Sequence, residues 1–189
     1  PYMGDGKITK NMIQYMVKQL KEEVIPTLER VSGVKFDIDR LREYLKRSVK
    51  AEDDLVKVLQ AAKAKPSPID AYFGGIYYIG PMFGAFRGTE DAVEYYKFLR
   101  AEVEDRVAKG LGPVTPDGDM GKEKYRLVVE GPPNYTNFRE FWKMFYDEGA
   151  VVVASSYTKV GGVYDLGFRH DPNNPLETLA EYCLGVYTN

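Results

Sequence analysis

The chain has 189 residues, 44% hydrophobic and 29% charged, with a formal net charge of −2. That length fits one domain or a domain with an appendage, and that balance excludes a basic nucleic-acid-binding surface and an acidic tail. No apolar run approaches the roughly 20 residues of a membrane span, no signal pattern opens the chain, and the one cysteine, Cys183, excludes an internal disulfide framework, so a cytoplasmic protein is expected.

From about Thr9 to Arg30, Met12, Ile13, Met16, Val17, Leu20, Val24, Ile25 and Leu28 lie on one apolar stripe of a helix. After the break "SGVKFDID", Asp37 or Asp39 caps a second long helix, with Leu41, Leu45, Val49, Leu55, Val58 and Leu59 on one face. It ends before Pro66 and Pro68. Residues 1–66 are therefore expected to form an antiparallel helical hairpin, either a packing element or a dimer arm.

Residues 67–124 hold an aromatic, glycine-rich segment and a connecting helix. "SPIDAYFGGIYYIGPMFGAFRGTED" carries Tyr72, Phe73, Tyr77, Tyr78, Phe83 and Phe86 among five glycines. Ser67 and Pro68 suit a helix start, whereas Gly74-Gly75 and Gly80-Pro81 weaken regular structure. The segment is either a buried turn lined by core aromatics or one wall of an apolar pocket, with Phe83 against the ligand. Thr89 caps the following helix and Gly110 ends it, and "GPVTPDGDMGKEK" reads as a surface loop.

Residues 125–189 change character. "YRLVVE" reads as a strand and "NFREFWKMFYDEG" as a helix capped by Thr136 and ended by Gly149. "AVVVASS" reads as a strand apolar on both faces. Strand, helix, strand makes a right-handed βαβ unit. A last helix starts at Asn174-Pro175. The expected fold class is α/β: a helical hairpin plus part of a doubly wound, Rossmann- or flavodoxin-like, parallel sheet domain.

In open parallel sheets ligands bind beyond the carboxyl ends of the strands. Here that edge carries "GPPNYTNF" (131–138) and "SSYTKVGGVYDLGFRHD" (155–171), which supply Asn134, Tyr135, Thr136, Asn137, Ser155, Ser156, Tyr157, Thr158, Lys159 and His170. Backbone amides opening the helix after Thr136 suit an anion or a carbonyl oxygen. The other reading of the corner is an ordinary solvated turn. Neither a G-x-G-x-x-G after a strand nor the Lys-Ser/Thr of a phosphate loop occurs. His170, the sole histidine, excludes a histidine metal cluster. With Asp165 and Asp171 nearby it is either an acid–base group or a loop-bonding residue. Cys183 reads as a buried small hydrophobe, and no metal-ligating residue is assigned.

"GPPNYTNFREFW", "ASSYTKVGGVYD" and "FRHDPNNPLETLAEY" together resemble the benzoyl-CoA reductase / 2-hydroxyacyl-CoA dehydratase family, most nearly the B- and C-type subunits of its ATP-dependent reductases. "YYKFLRAEVEDRVAKGLGP" fits as well, and the N-terminal helices fit in general character. The resemblance implies an anaerobic oxidoreductase built from two doubly wound domains per subunit. Each subunit would carry a [4Fe–4S] cluster on three cysteines near an acyl-CoA pocket. The implied partners are a paired homologous subunit and an ATP-hydrolysing iron–sulfur electron donor. The implied reaction is ring reduction of benzoyl-CoA or a close analogue, with radical dehydration of a 2-hydroxyacyl-CoA as the alternative within the family. A non-catalytic α/β binding or assembly module is the alternative outside it. The cluster cysteines are not in this sequence, so the resemblance places them before Pro1 and after Asn189, in an intact subunit of which this segment alone would be inactive. It assigns no catalytic residue. Asn134, Tyr135, Thr136, Asn137, Ser156, Tyr157, Thr158 and Phe83 are the residues expected against the substrate.

Overall fold

A computed structural model describes residues 8–83, 86–159 and 168–188, and the side chains of Phe83, Lys159 and residues 186–188 lie outside the described set. The chain is α/β. Its helices are α1 (Lys10–Gln19), α2 (Ile25–Ser32), α3 (Ile38–Ala61), α4 (Phe73–Phe83), α5 (Glu90–Lys109), α6 (Phe138–Tyr146), α7 (Ser156–Lys159) and α8 (Pro175–Thr188). A two-residue antiparallel ribbon, β1 (Val114–Thr115) and β2 (Gly118–Asp119), precedes a parallel pair, β3 (Tyr125–Val129) and β4 (Ala150–Ser155).

The first helices start and stop where local chemistry dictates. The Thr9 hydroxyl accepts from the Met12 amide at 3.3 Å, and the Asp37 carboxylate accepts from the amides of Asp39 and Arg40 at 2.9 and 3.1 Å. A π-helical turn, Leu20–Val24, joins α1 to α2. Pro26 has no N–H to return to Glu22, and the widened turn falls where that bond is missing. Gly33 closes α2 with φ 71°.

These helices do not simply pair with one another. Val17 of α1 packs on Leu176 and Ala180 of α8, while α3 lies along α5. Ala51, Leu55 and Val58 of α3 meet Ala92, Tyr96 and Val103 of α5 around Ile69, Ile79 and Met82. Glu52, 1% exposed, pairs with Arg87, whose guanidinium also lies 5.1 Å from the Tyr182 ring of α8.

The segment after Pro68 differs most from the sequence-based expectation. Helix α4 runs through Gly74-Gly75 and Gly80-Pro81. The reason is Asp70, 2% exposed. Its Oδ1 accepts from the amides of Tyr72 and Phe73 at 2.9 and 2.8 Å, and its Oδ2 accepts from the Val152 amide at 3.0 Å. The Ala71 amide returns a 2.7 Å bond to the Val152 carbonyl. One carboxylate thus starts a helix and stands in for a neighbouring strand along the edge of β4 away from β3. Burial pushes the Asp70 carboxyl up to about 6, against the pull of the amides toward the ionised form.

β3 and β4 pair in parallel from Tyr125 opposite Ala150 to Val129 opposite Ser155, with a bulge that leaves Val153 unmatched. Helix α6 crosses between them and seats Trp142 on Val152, with the Trp142 ring stacked 5.6 Å from Phe73 of α4. Val151 and Val152 are both fully buried, as a strand covered on two faces requires.

Two outcomes test this frame. In Asp70→Asn, the amide nitrogen meets the Val152 N–H and cannot accept from it, whereas a carboxyl oxygen can in either protonation state. Urea denaturation should record a loss of about 1–3 kcal/mol. Because the folded carboxyl titrates at about 6 rather than 3.8, its stabilisation is full below pH 3.8 and is lost as the pH rises through about 6. The deficit of Asp70→Asn should therefore be largest in acid and narrow toward neutrality. The second concerns Gly75 of α4, where an added Cβ would lie 2.7 Å from Cγ2 of Thr158. Gly75→Ala should destabilise by about 1–3 kcal/mol, and adding Thr158→Ser, which removes that methyl but keeps the hydroxyl, should restore most of it. Equal melting temperatures for Gly75→Ala with and without the second change would contradict the contact.

Candidate functional site

The carboxyl ends of β3 and β4 finish side by side, and the two polar loops after them meet. Gly131, at φ 89°, turns the chain away from β3, and its amide donates to the Ser156 hydroxyl at 3.3 Å. Four residues later the Tyr135 hydroxyl lies 2.5 Å from the Tyr157 hydroxyl, with the two rings 6.3 Å apart. The 131–138 loop and the 155–159 segment, which the structure makes the end of β4 and the short helix α7 rather than the expected loop, therefore share one rim. Val160 and Gly161, and Asp165 beyond them, lie outside the described residues.

Most of the described residues predicted for the site lie on or below that rim. Asn134 folds back: its Oδ1 accepts from the Thr136 amide at 3.2 Å and shapes the turn that carries Tyr135. Thr136 is not the helix cap, because Asn137 takes that position and makes no side-chain capping bond. Ser156 is exposed and faces Gly131, and Tyr157 is half-buried. Thr158 is 2% exposed and donates to the carbonyls of Ala71 and Ser155 at 2.8 and 3.3 Å. It fastens α7 to α4 below the rim and does not face solvent. Ser155, also buried, accepts from the Tyr157 amide at 3.1 Å. The side chain of Phe83 lies outside the described residues.

Aromatic rings line the same side. Tyr135 lies nearly parallel to Phe138 at 6.3 Å, and Tyr77 of α4 meets Phe138 edge-on at 6.2 Å. Phe73 stands beneath, 5.7 Å from Phe138 and 5.5 Å from Phe141. Loss of water around its hydroxyl, together with the Tyr157 hydroxyl, pushes Tyr135 up to about 12, so it remains a protonated donor at neutral pH. The arrangement offers phenol and amide donors beside the exposed Tyr77 and Tyr135 rings and the half-buried Phe138. It can hold an acceptor oxygen attached to an apolar group.

His170 belongs elsewhere. It is 5% exposed, 5.3 Å from the Phe168 ring and 5.0 Å from the Tyr182 ring, with Thr178 Oγ1 at 3.4 Å from Nδ1. Burial, and then the nearby Arg87 charge, press its pKa down to about 4. It is a neutral packing residue at pH 7. Asp171 accepts from the Asn173 amide and the Asn174 side chain at the start of α8.

Sequence reasoning did not single out Asp70 or the Glu52–Arg87 pair. Asp70 had a local signal, a carboxylate two residues before the aromatic run opening α4, which reads as a helix-start acceptor. The pairing of Glu52 with Arg87 spans thirty-five positions and leaves no local trace. The residues of this chain do not fit an iron–sulfur cluster. The sequence has one thiol, Cys183 in α8, and among the described residues no three His, Cys, Asp or Glu side chains converge as a metal site. Among the described residues no helix is long and apolar enough to cross a membrane.

Comparison with known proteins gives this geometry its context. The chain is 79% identical over all 189 residues to the B-type subunit of benzoyl-CoA reductase from Thauera aromatica, covering 44% of that protein. It is 28% identical to the (R)-phenyllactyl-CoA dehydratase alpha subunit of Clostridium sporogenes, over 86% of this chain and 38% of the relative. It is 25% identical to the alpha subunit of (R)-2-hydroxyglutaryl-CoA dehydratase from Acidaminococcus fermentans, over 97% of this chain and 35% of the relative. The chain thus spans less than half the length of these relatives. The family model described as 2-hydroxyglutaryl-CoA dehydratase, D-component, matches residues 2–188, and the chain belongs to that family.

Proposed function

We propose that the chain is part of an acyl-CoA reductase subunit that takes part in reducing the aromatic ring of benzoyl-CoA or a close analogue. The observation that carries this reading is the 79% identity, held over every residue of the chain, to the B-type subunit of a benzoyl-CoA reductase. The rim agrees with it in chemistry. A thioester carbonyl needs hydrogen-bond donors that strengthen as charge builds on its oxygen, and an aryl group needs an apolar surface from which water is displaced. Tyr135, Tyr157 and the open start of α6 supply the first. Tyr77 and Phe138 supply the second.

The intact subunit would work in the cytoplasm beside a paired homologous subunit and an ATP-hydrolysing iron–sulfur donor of low-potential electrons. Its [4Fe–4S] cluster would be held by cysteines outside this segment, since Cys183 alone cannot ligate one. The residues of the rim bind, orient and shield the acyl group. Of those named from the sequence, Asn134, Tyr135, Thr136, Asn137, Ser156 and Tyr157 belong to the two segments of the rim, Thr158 supports it from below, and the side chain of Phe83 lies outside the described residues.

A second reading, radical dehydration of a 2-hydroxyacyl-CoA, is favoured by the dehydratase relatives at 28% and 25% identity. One assay separates the two. The full-length subunit, assembled anaerobically with its partner subunits and supplied with ATP and reductant, should convert benzoyl-CoA to a non-aromatic product, seen as loss of ring absorbance. Water loss from a 2-hydroxyacyl-CoA with benzoyl-CoA untouched would replace the first reading with the second.

The rim itself is tested by changing Asn134 and Tyr135 together to Ala in the full-length subunit. Both are exposed, so the melting temperature should move by only a few degrees. Turnover should fall by about 100-fold, the scale of losing a positioned donor. Full turnover accompanied by a large drop in melting temperature would mark the corner as purely structural.

A further inference from the structure

The two phenols at the rim hold one more proton than their mutual bond uses. Their oxygens are 2.5 Å apart, and among the described residues neither hydroxyl has another hydrogen-bond partner. Two phenols carry two O–H groups and one bridges, whichever oxygen donates. The second O–H stays available, and the bridge polarises it, because a hydroxyl that accepts a hydrogen bond becomes a better donor. The surroundings are asymmetric. Tyr135 is 55% exposed and Tyr77 is 58% exposed, and both flank Phe138, while Tyr157 is tied at its backbone to the buried Ser155 hydroxyl. A single spare O–H beside the exposed Tyr77 and half-buried Phe138 rings matches a ligand with one strong acceptor oxygen joined to a flat apolar group.

We propose that Tyr135 and Tyr157 act as one donor unit, presenting a single phenolic O–H to the carbonyl oxygen of an aromatic acyl thioester whose ring lies against Tyr77 and Phe138. The inference rests on the reading of the rim as the acyl-CoA site and specifies how that site distinguishes its ligand. The unit recognises the carbonyl, and the rings recognise the aryl group. A donor of this kind bonds more strongly to an oxygen that is gaining negative charge than to a resting carbonyl, so its effect on turnover exceeds its effect on binding.

The test uses the full-length subunit in its complex, with Tyr135→Phe, Tyr157→Phe and the double variant, each of which keeps the rings and removes hydroxyls. Two probes are compared: benzoyl-CoA, and the S-benzyl thioether of CoA, in which a methylene replaces the carbonyl. Each single variant should bind benzoyl-CoA about 3- to 10-fold more weakly and turn it over about 100-fold more slowly. The double variant should lose little more than the worse single variant, because the hydroxyls work as a unit. Affinity for the thioether should be unchanged in all three. Losses that multiply in the double variant, no loss in any variant, or equal losses for thioester and thioether would overturn the donor unit while leaving the acyl-CoA reading in place. A wild-type complex that binds neither probe would overturn the acyl-CoA reading and the donor unit with it.

Discussion

The buried carboxylate of Asp70 is the contact on which the rest of this structure depends. A carboxylate inside a protein is unfavourable unless hydrogen-bond donors converge on it, and three backbone amides from two elements do so here. Two of them are the amides that a helix leaves unsatisfied at its start. The third belongs to the outer edge of β4, which would otherwise need another strand. A single side chain thereby fixes the distance and angle between α4 and the sheet. Every aromatic contact between α4 and α6 follows from that placement, including Phe73 on Trp142 and Tyr77 on Phe138.

The same junction reaches the rim through Thr158. Its hydroxyl holds the Ala71 carbonyl, next in the chain to Asp70, and its methyl occupies the space left by the missing side chain of Gly75. Tyr157 precedes Thr158, so the phenol at the surface is carried by a residue locked on one side into the core. Tyr135 is carried instead by a turn of Asn134 and Gly131 that is exposed and held by single bonds. The hydroxyl pair joins a partner anchored in the core to one held by a surface turn.

How far the sequence revealed this depends on the range of the interaction. Caps and breakers act within four residues, so Thr89 and Gly110 were legible and the start of α3 was narrowed to Asp37 or Asp39, of which Asp37 is the cap. The βαβ order of the last third was legible because strand and helix periods differ. Helix α4 was not, because its glycines argue for a turn and the carboxylate that overrides them binds an amide eighty-two positions away. The meeting of the two loops could be anticipated from the general geometry of parallel sheets, and the residues that touch are those of the quoted motifs. The roles within the set could not be separated. Thr158 and Tyr157 are neighbours in a polar run, yet only the structure places one beneath the surface and the other on it. The sequence left His170 open between an acid–base group and a loop-bonding residue, because a lone histidine beside two carboxylates fits both. Its burial beside Arg87 makes it a neutral packing residue.

The unmatched Val153 has a consequence for how this region can change. It gives β4 one residue more than its partner across the same span, so that Ser155 rather than Ala154 lies opposite Val129. The two strands end level only through this extra residue, and the Gly131 amide finds the Ser156 hydroxyl at the next step. Shortening β4 by one position would draw that hydroxyl back into the sheet and pull the tyrosine behind it out of reach of its counterpart. Chain length between the sheet and the rim is therefore a constraint in its own right, separate from the packing of the Val153 side chain on the core beside Val58 and Val103.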